Sequence, residues 1–544
     1  MADETSRLTG IEAFRDLPAE TLAEIDSRLR LIEIARGETL IRQGEEADAL
    51  YMVVSGRFDV HIAARGAPIA QIGPGSPIGE IAFFAGGRRT ATVMAARDSQ
   101  VLELSREDFD SLTQRSPRIW STVTAALARR LAATNAGARE VALQSPRTIA
   151  LIHAGAASIV DRVLPELIAQ LSALARVRTI TAGAITTPLA SGETTRWLNA
   201  LEAESDHLVY VADPTLSAWS EKAIRQADWV IAIGDATAAD RDTRPNALEE
   251  FASSLHAGQS LRLVLAHPVG TRRGSGTRAW LERRPKVGMH HHVATGAAED
   301  FARLARFIAG RAVGLVACGG GAFTAAHIGI HEALIEAGVT IDMFGGTSGG
   351  SAMTAAFALG ASPDEIERRS LDMFVTRRAM KRWTLPRYSL IDHMPFDAAL
   401  EEHFSAIDIE DLWVPYFAAS TNLTLNRLNI HRSGPLWEAI RASSAIPALL
   451  PPVFTPDGMT LVDGALLDNV PIGPMRQLKT GPNIVIHFEM PALPRCFVDH
   501  RELPSRRALM LASLTRAGRA RLPRAPGPQA VLLHGLMMPR RALH

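Results

Sequence analysis

Hydrophobic and polar positions change rhythm twice along the chain and divide it into three regions. Over 10–135 a helical stretch gives way to short alternating segments, such as 50–54 and 58–62, separated by glycines, a pattern that predicts a small β-roll. The region closes with SPRIWSTVTAALARRLAATNA. Pro117 suits an early helical position there, and Ile119, Trp120, Val123, Leu127 and Leu131 recur at helical spacing, which predicts a helix that packs on its own domain, the preferred reading, or pairs between subunits.

From 147 to 310 the apolar runs TIALIHAG, HLVYVAD, WVIAIGDA and LRLVLAHP alternate with stretches of helical periodicity, as in an α/β domain. No glycine-rich phosphate loop follows any of these strands, so a dinucleotide site is not expected. His290, His291 and His292 are consecutive and lack zinc-ligand spacing, and the expected setting is a polar loop. The arginine-rich stretch 272–286 is expected to be a solvated surface loop.

From 311 to 500 the order becomes strand, glycine loop, helix, strand, sharp turn and helix, predicting a parallel sheet with helices on its faces. Residues 501–544 form a C-terminal extension. The expected fold is therefore multidomain, with an N-terminal β-roll, an α/β linker domain and a C-terminal α/β domain.

Composition narrows the setting. The chain has 544 residues, and its 58 basic and 58 acidic side chains cancel, so no global field draws it to nucleic acid or to an anionic membrane. No charge-free tract has bilayer-spanning length, and MADETSRLTG is not a secretory leader. With only Cys318 and Cys496, a disulfide framework is excluded and a reducing cytoplasm is the expected compartment, with peripheral membrane attachment open.

Candidate chemistry gathers in two constellations. In the third region GLVACGGGAFTAAHIGIHEALIEAG reads as a strand, 314–317, then a loop of Gly319, Gly320 and Gly321 and an amphipathic helix. Successive glycines at a helix start present amides to an anion or oxyanion. Downstream, Gly346-Thr347-Ser348-Gly349-Gly350 is a G-x-S-x-G turn between a strand and an alanine-rich helix, the context in which a serine hydroxyl projects from a sharp elbow with Gly346 and Gly350 flanking it. A serine needs a base. In MTLVDGALLDNVPI, Asp463 ends an apolar strand and Asp468 follows five residues on, whereas His327 and His331 lie on the helix after the glycine loop, where structural roles are expected. In the first region, IGPGSPIGEIAFFAGGRRTATV reads as an anion cassette. The amides of Glu80, Ile81 and Ala82 and the Arg89 guanidinium can share a phosphate charge, while the Glu80 carboxylate can accept a ribose hydroxyl. Gly79, Thr90 and Ala91 would line the same pocket.

The glycine loop, the elbow and Asp463-Gly464-Ala465 together resemble the patatin-like phospholipases, whose pattern joins G-G-G-x-R-G, G-x-S-x-G and D-G-[GA]. That resemblance implies a Ser-Asp dyad of Ser348 and Asp463, and an oxyanion hole made by amides of Gly319, Gly320, Gly321 and Ala322. It also implies that 436–453 frames an acyl pocket. Phe323 and Thr324 depart from the family's Arg-Gly, which leaves the loop without its usual arginine contact. The first region, with Gly44, Tyr51, Gly56 and the 72–93 cassette, resembles cyclic-nucleotide-binding domains, although Ile78 stands where an aromatic residue often precedes the Gly-Glu pair. The combination is similar to the neuropathy target esterase and lysophospholipase group, and 300–310 looks like that group's linker to the glycine loop.

These resemblances imply a cyclic-nucleotide-regulated serine esterase releasing fatty acid from lysophospholipids or phospholipids, with no cofactor for catalysis, no metal, and cAMP or cGMP as allosteric ligand. The stretch 375–387, VTRRAMKRWTLPR, mixes basic residues with Trp383 in a pattern suited either to a lipid interface or to an ordinary exposed helix end. The alternative is a nucleotide-binding scaffold with an inactive hydrolase domain, supported by Phe323 and Thr324. A transcription regulator would need a helix-turn-helix, which 147–310 does not offer.

Overall fold

The computed structural model of the protein describes residues 26–62, 68–115, 145–156, 159–189, 192–404, 406–488, 495–523, 525–527, 531 and 534–535. The helix expected from Pro117 to Leu131 lies outside the described residues. The chain forms two compact units, one of Met1–Ala312 with Arg476–Gly481 and the other of Val313–Met475 with Pro482–His544.

The first unit holds the β-roll and the α/β sheet together. Two four-stranded antiparallel sheets make the roll. In one, Ser99–Ser105 lies between Arg30–Ile34 and Ala49–Ser55; in the other, Thr92–Ala95 lies between Thr39–Ile41 and Phe58–His61. Alternation turns Val53, Phe58, Ile78, Val93 and Val101 into a common core, because successive side chains of a strand face opposite ways.

The second region is a six-stranded, wholly parallel sheet, ordered Val177–Ile180, His207–Val211, Thr148–His153, Trp229–Asp235, Gly258–His267 and Val287–Ala294. The strands are near-continuous apolar runs because helices cover both faces. The stretch expected to be a linker, 300–310, is for most of its length part of the helix Ala298–Ile308, whose Phe301, Leu304 and Ile308 enter the core of this sheet.

Two expectations for this region are overturned. His290–His292 are not in a loop but on the last strand, where His291 is buried against Arg262 and Phe307, and His292 Nδ1 lies 2.9 Å from His267 Nε2. A strand flanked by a sheet neighbour and a covering helix buries even polar side chains that can find partners. The arginine-rich stretch is not uniformly solvated either. Arg284 is buried and donates from Nε and Nη2 to the two oxygens of Glu249, at 2.5 and 3.0 Å.

Glu249 also accepts from the amide of Gly155, 2.9 Å away, in the loop after the first strand of the sheet. Chain order reverses between Thr148–His153 and Trp229–Asp235, the position where open α/β sheets receive anionic ligands. Here an internal carboxylate and its arginine occupy that position. Replacing Glu249 with alanine strands a buried guanidinium, and chemical denaturation of the intact chain should register a loss of about 3–5 kcal/mol in the transition of this sheet.

Buried polar contacts bind the roll to this sheet. Arg97 Nη1 lies 2.7 Å from Glu202, Arg57 Nη1 2.9 Å from Asp228, and Lys222 Nζ 2.9 Å from Asp98. Arg36 donates to the carbonyl of Ala227 at 2.8 Å.

In the second unit the strands run in the order Val453–Phe454, Thr460–Asp463, Tyr416–Asn422, Met343–Thr347, Gly314–Ala317 and Asn483–Ile486. The expected parallel sheet is confined to the last four. Thr460–Asp463 pairs antiparallel with Tyr416–Asn422, as does Arg427–His431, so the sheet is mixed. The reversal has a consequence for the site. It returns the end of Thr460–Asp463 to the level of Ser420, next to the strand that ends at Thr347.

Candidate active site

Ser348 follows the strand Met343–Thr347 and caps the helix Gly349–Ala358. Its φ of 54° and ψ of −132° are unfavourable for a residue with a side chain, a strain of about 1–3 kcal/mol that the surrounding packing must hold. Gly346 and Gly350 make the turn passable. A Cβ on Gly346 would sit 2.7 Å from the carbonyl carbon of Gly350, and one on Gly350 would strike the carbonyls of Ala317 and Cys318.

The turn aims Ser348 Oγ at Asp463, donating to Oδ2 over 2.7 Å. The other carboxylate oxygen accepts the Ala465 amide at 2.9 Å. Asp463 is 1% exposed and Ser348 8%. Burial pushes the Asp463 carboxyl up to about 6, opposed by the Ser348 hydroxyl and the Ala465 amide, which favour its ionised form. Asp468 is apart from this pair; its carboxylate accepts the Val470 amide.

Two contacts were not anticipated from the sequence. The Ser348 amide donates to Ser443 Oγ at 2.8 Å, and Ser443 in turn donates to the Ala419 carbonyl at 2.6 Å, locking the elbow to the neighbouring strand. Asn469 Oδ1 accepts the Gly319 amide at 2.9 Å. Asn469 directly follows Asp468 in the D-N-V-P stretch, whereas Ser443 carried no signal beyond its place in 436–453.

The Asn469 contact changes the reading of the glycine loop. Of the four expected oxyanion donors, Gly319 is spent inside the protein, while the amides of Gly320, Gly321 and Ala322 donate to no described group. Gly319 has no room for a side chain, since a Cβ would stand 2.7 Å from that of Ser348. The Phe323-Thr324 departure separates into two effects. Thr324 is buried and donates to the Gly321 carbonyl at 2.7 Å, tying the loop where an arginine contact is missing. Phe323 is exposed.

His327 and His331 are buried, stacked on Phe488 and Phe357, as suits structural roles. Burial lowers both, His327 to about 4, so they pack as neutral rings. Neither hydrogen-bonds to Ser348 or Asp463.

In the roll, Gly79 at φ +81° caps the short helix Glu80–Ala85. Arg89, 3% exposed, donates from Nη1 to the Gly79 carbonyl at 3.1 Å and from Nη2 to the Ala49 carbonyl at 2.7 Å. The structure thus brings Arg89 to the helix start that carries Glu80. Glu80 and Ala82 are buried, Ile81 and Thr90 are exposed, and Ala91 is half-buried. A cleft of about 420 Å³ nearby is lined by Glu46, Asp48, Arg88 and Arg106, not by Arg89.

The family model of the patatin-like phospholipases matches residues 315–476. These residues form a patatin-like phospholipase domain. Residues 31–116 match the cyclic nucleotide-binding domain, and 147–298 match the Neuropathy Target Esterase family P-loop like domain. The expectation of no glycine-rich phosphate loop in that region meets a family described as P-loop like, and after the strand Thr148–His153 the Gly155 amide donates to Glu249.

Neuropathy target esterase sws of Drosophila melanogaster is 29% identical over 519 residues, covering 85% of this chain and 36% of that protein. The Drosophila persimilis protein of the same name is 30% identical, covering 82% and 35%. The chain therefore spans about a third of the length of these relatives. A solved catabolite activator protein from Thermus thermophilus is 30% identical over 23% of this chain and 60% of its own, with a TM-score of 0.22. Among the described residues no helix is long and apolar enough to cross a membrane, and no cluster of His, Cys, Asp and Glu could hold a metal ion.

The Asp463 carboxyl binds its proton more tightly in the folded chain than in the unfolded one, where the ordinary value is 3.8. Its contribution to stability is complete below pH 4 and is lost as pH rises through about 6, a shift of roughly 3 kcal/mol. Asp463→Asn should accordingly raise the denaturation midpoint of this domain above wild type at pH 8, with the difference shrinking below pH 5.

Proposed function

We propose that this chain hydrolyses the acyl ester of a lysophospholipid or phospholipid through a Ser348–Asp463 dyad. The observation that carries the reading is the 2.7 Å hydrogen bond from Ser348 Oγ to a buried aspartate whose carboxyl is raised to about 6. A base near that value is ionised at neutral pH yet a far better proton acceptor than an ordinary carboxylate.

As Ser348 Oγ attacks the ester carbonyl carbon, its proton passes to Asp463. The carbonyl oxygen becomes an oxyanion, for which the amides of Gly320 and Gly321, with Ala322, are the available donors. Collapse of the tetrahedral species breaks the bond to the glycerol oxygen, which leaves with the proton from Asp463, and the acyl group stays on Ser348. Water then attacks this ester, giving its proton to Asp463, and the free fatty acid departs as the proton returns to Ser348. The donors act from a backbone tied by Thr324 and Asn469, so they need little rearrangement as charge develops. The scaffold alternative draws on Phe323 and Thr324, of which Phe323 is exposed and Thr324 donates to the Gly321 carbonyl.

The regulatory part of the proposal is that cAMP or cGMP binds in the roll, its phosphate at the amides of Glu80, Ile81 and Ala82 with Arg89, and its ribose hydroxyl on Glu80. Regulation requires the nucleotide to bind the active and inactive states with different affinities.

Purified wild type should release fatty acid from lysophosphatidylcholine, and Ser348→Ala and Asp463→Asn should each lose at least ~10⁴-fold in kcat/KM. Because Asp463 must be ionised to take the proton, kcat/KM should fall about tenfold per pH unit below pH 6. A folded wild type that releases no fatty acid from this or a short-chain ester would favour the scaffold. For the roll, calorimetric titration with cAMP and cGMP should find Arg89→Lys weakened by about 10- to 100-fold, since a lysine keeps the charge but not the two-pronged donor.

A further inference from the structure

We infer that the hairpin around Trp383–Ile391 is a docking element for an anionic phospholipid surface, through which the patatin-like domain meets its substrate. This rests on the lipid-esterase reading above. Trp383 and Ile391 form an antiparallel bridge, and the Thr384 amide donates to the Leu390 carbonyl at 3.1 Å. Lys381 to Tyr388 are all exposed. The apolar members are the most notable, with Trp383 67%, Leu385 86% and Tyr388 73% exposed. Water-facing apolar side chains clustered on one short protrusion mark a contact surface.

Charge identifies the partner. From Met373 to Ile391 the chain carries Arg377, Arg378, Lys381, Arg382 and Arg387 and no acidic residue, in a protein of zero net charge. Arg377 is paired with Asp372 and Glu402. The other four form no ion pair among the described residues, and Arg387 lies over the Tyr388 ring, 5.5 Å from its centroid. A tryptophan, a tyrosine and a leucine ringed by unpaired cations match the layered chemistry of a lipid interface, where indole and phenol rings sit at the headgroup level and cations meet lipid phosphates and carboxylates.

Anchoring connects this surface to the dyad. Ile391 is buried in the domain core, and the amides of Leu390 and Ile391 donate to the carbonyls of Ala448 and Leu449 at 2.9 and 3.0 Å. Three residues before Ala448, the Ala445 carbonyl accepts the amide of Asp463 at 2.9 Å. One short segment, 443–449, thus holds Ser348 through Ser443, Asp463 through Ala445 and the hairpin through Ala448. An ester buried at the headgroup boundary must leave the bilayer to reach a serine that is 8% exposed, and a hairpin rooted beside that serine brings the two together.

The test is sedimentation of the full chain with vesicles, made in a Ser348→Ala background so that no lipid is consumed. Phosphatidylcholine vesicles are compared with vesicles containing about a third phosphatidylserine. The Ser348→Ala chain should bind the anionic vesicles more tightly and lose that preference at high salt. Trp383→Ser with Leu385→Ser should weaken binding to both by roughly tenfold or more, and Lys381→Ser with Arg382→Ser should weaken binding to the anionic vesicles alone by about the same factor. In the active chain both pairs should keep hydrolysis of a water-soluble short-chain ester within about twofold of wild type, because folding and the dyad are untouched.

Absence of vesicle binding, unchanged binding in both pairs, or substitutions that instead break up a dimer would each overturn the inference. Soluble-ester hydrolysis without vesicle binding would reject the docking element alone, and vesicle binding without any ester hydrolysis would reject the esterase reading alone.

Discussion

The site of the second unit depends on the hydrogen bond between Ser348 and Asp463, and that bond exists only because a strained elbow is held in place. A serine at φ 54° relaxes unless its neighbours forbid it. Three do so. Gly346 and Gly350 let two backbones approach at distances that a Cβ would block, Ser443 anchors the Ser348 amide, and the antiparallel strand Thr460–Asp463 stops its aspartate at the level of the elbow. Burial then performs the electrostatic work. The same desolvation that raises Asp463 toward 6 costs folding stability at neutral pH.

The first unit shows the opposite use of buried charge. Glu249 with Arg284, Arg97 with Glu202, and Arg57 with Asp228 are paired, which offsets the desolvation of the charges, although Arg97 Nε keeps no hydrogen-bond partner among the described residues. At the reversal point of the parallel sheet Glu249 accepts the Gly155 amide. Arg89 is likewise bonded to main-chain carbonyls, those of Gly79 and Ala49, beside the start of the helix Glu80–Ala85. Paired charge therefore holds the roll to the sheet.

Much of this was legible in the sequence, and the reasons are local. Apolar runs of period two or of continuous β-branched residues gave the strands at 148–153, 207–211, 229–235 and 314–317, because the burial of one or both faces of a strand is written in consecutive side chains. The glycines of the elbow and the loop were recognisable because backbone geometry of that kind admits almost no other residue. His290–His292 and Arg284 were misread since their burial is decided by what packs on them from distant parts of the chain: Arg262 and Phe307 in one case, Glu249 in the other.

By itself the sequence determined which residues could do chemistry and the order in which three kinds of domain follow one another, since residue type, glycine spacing and hydrophobic period are properties of short stretches. Only the tertiary structure decided which of those residues meet. The antiparallel turn of the sheet placed Asp463 and not Asp468 on Ser348, Asn469 withdrew Gly319 from the loop's free amides, and Thr324 took over the tie that the sequence could register only as a missing arginine. The first two are contacts between atoms far apart in the chain, and the third is a bond within the loop that exists only in its folded conformation. Desolvation and hydrogen bonding act through distance in space, which no local pattern records.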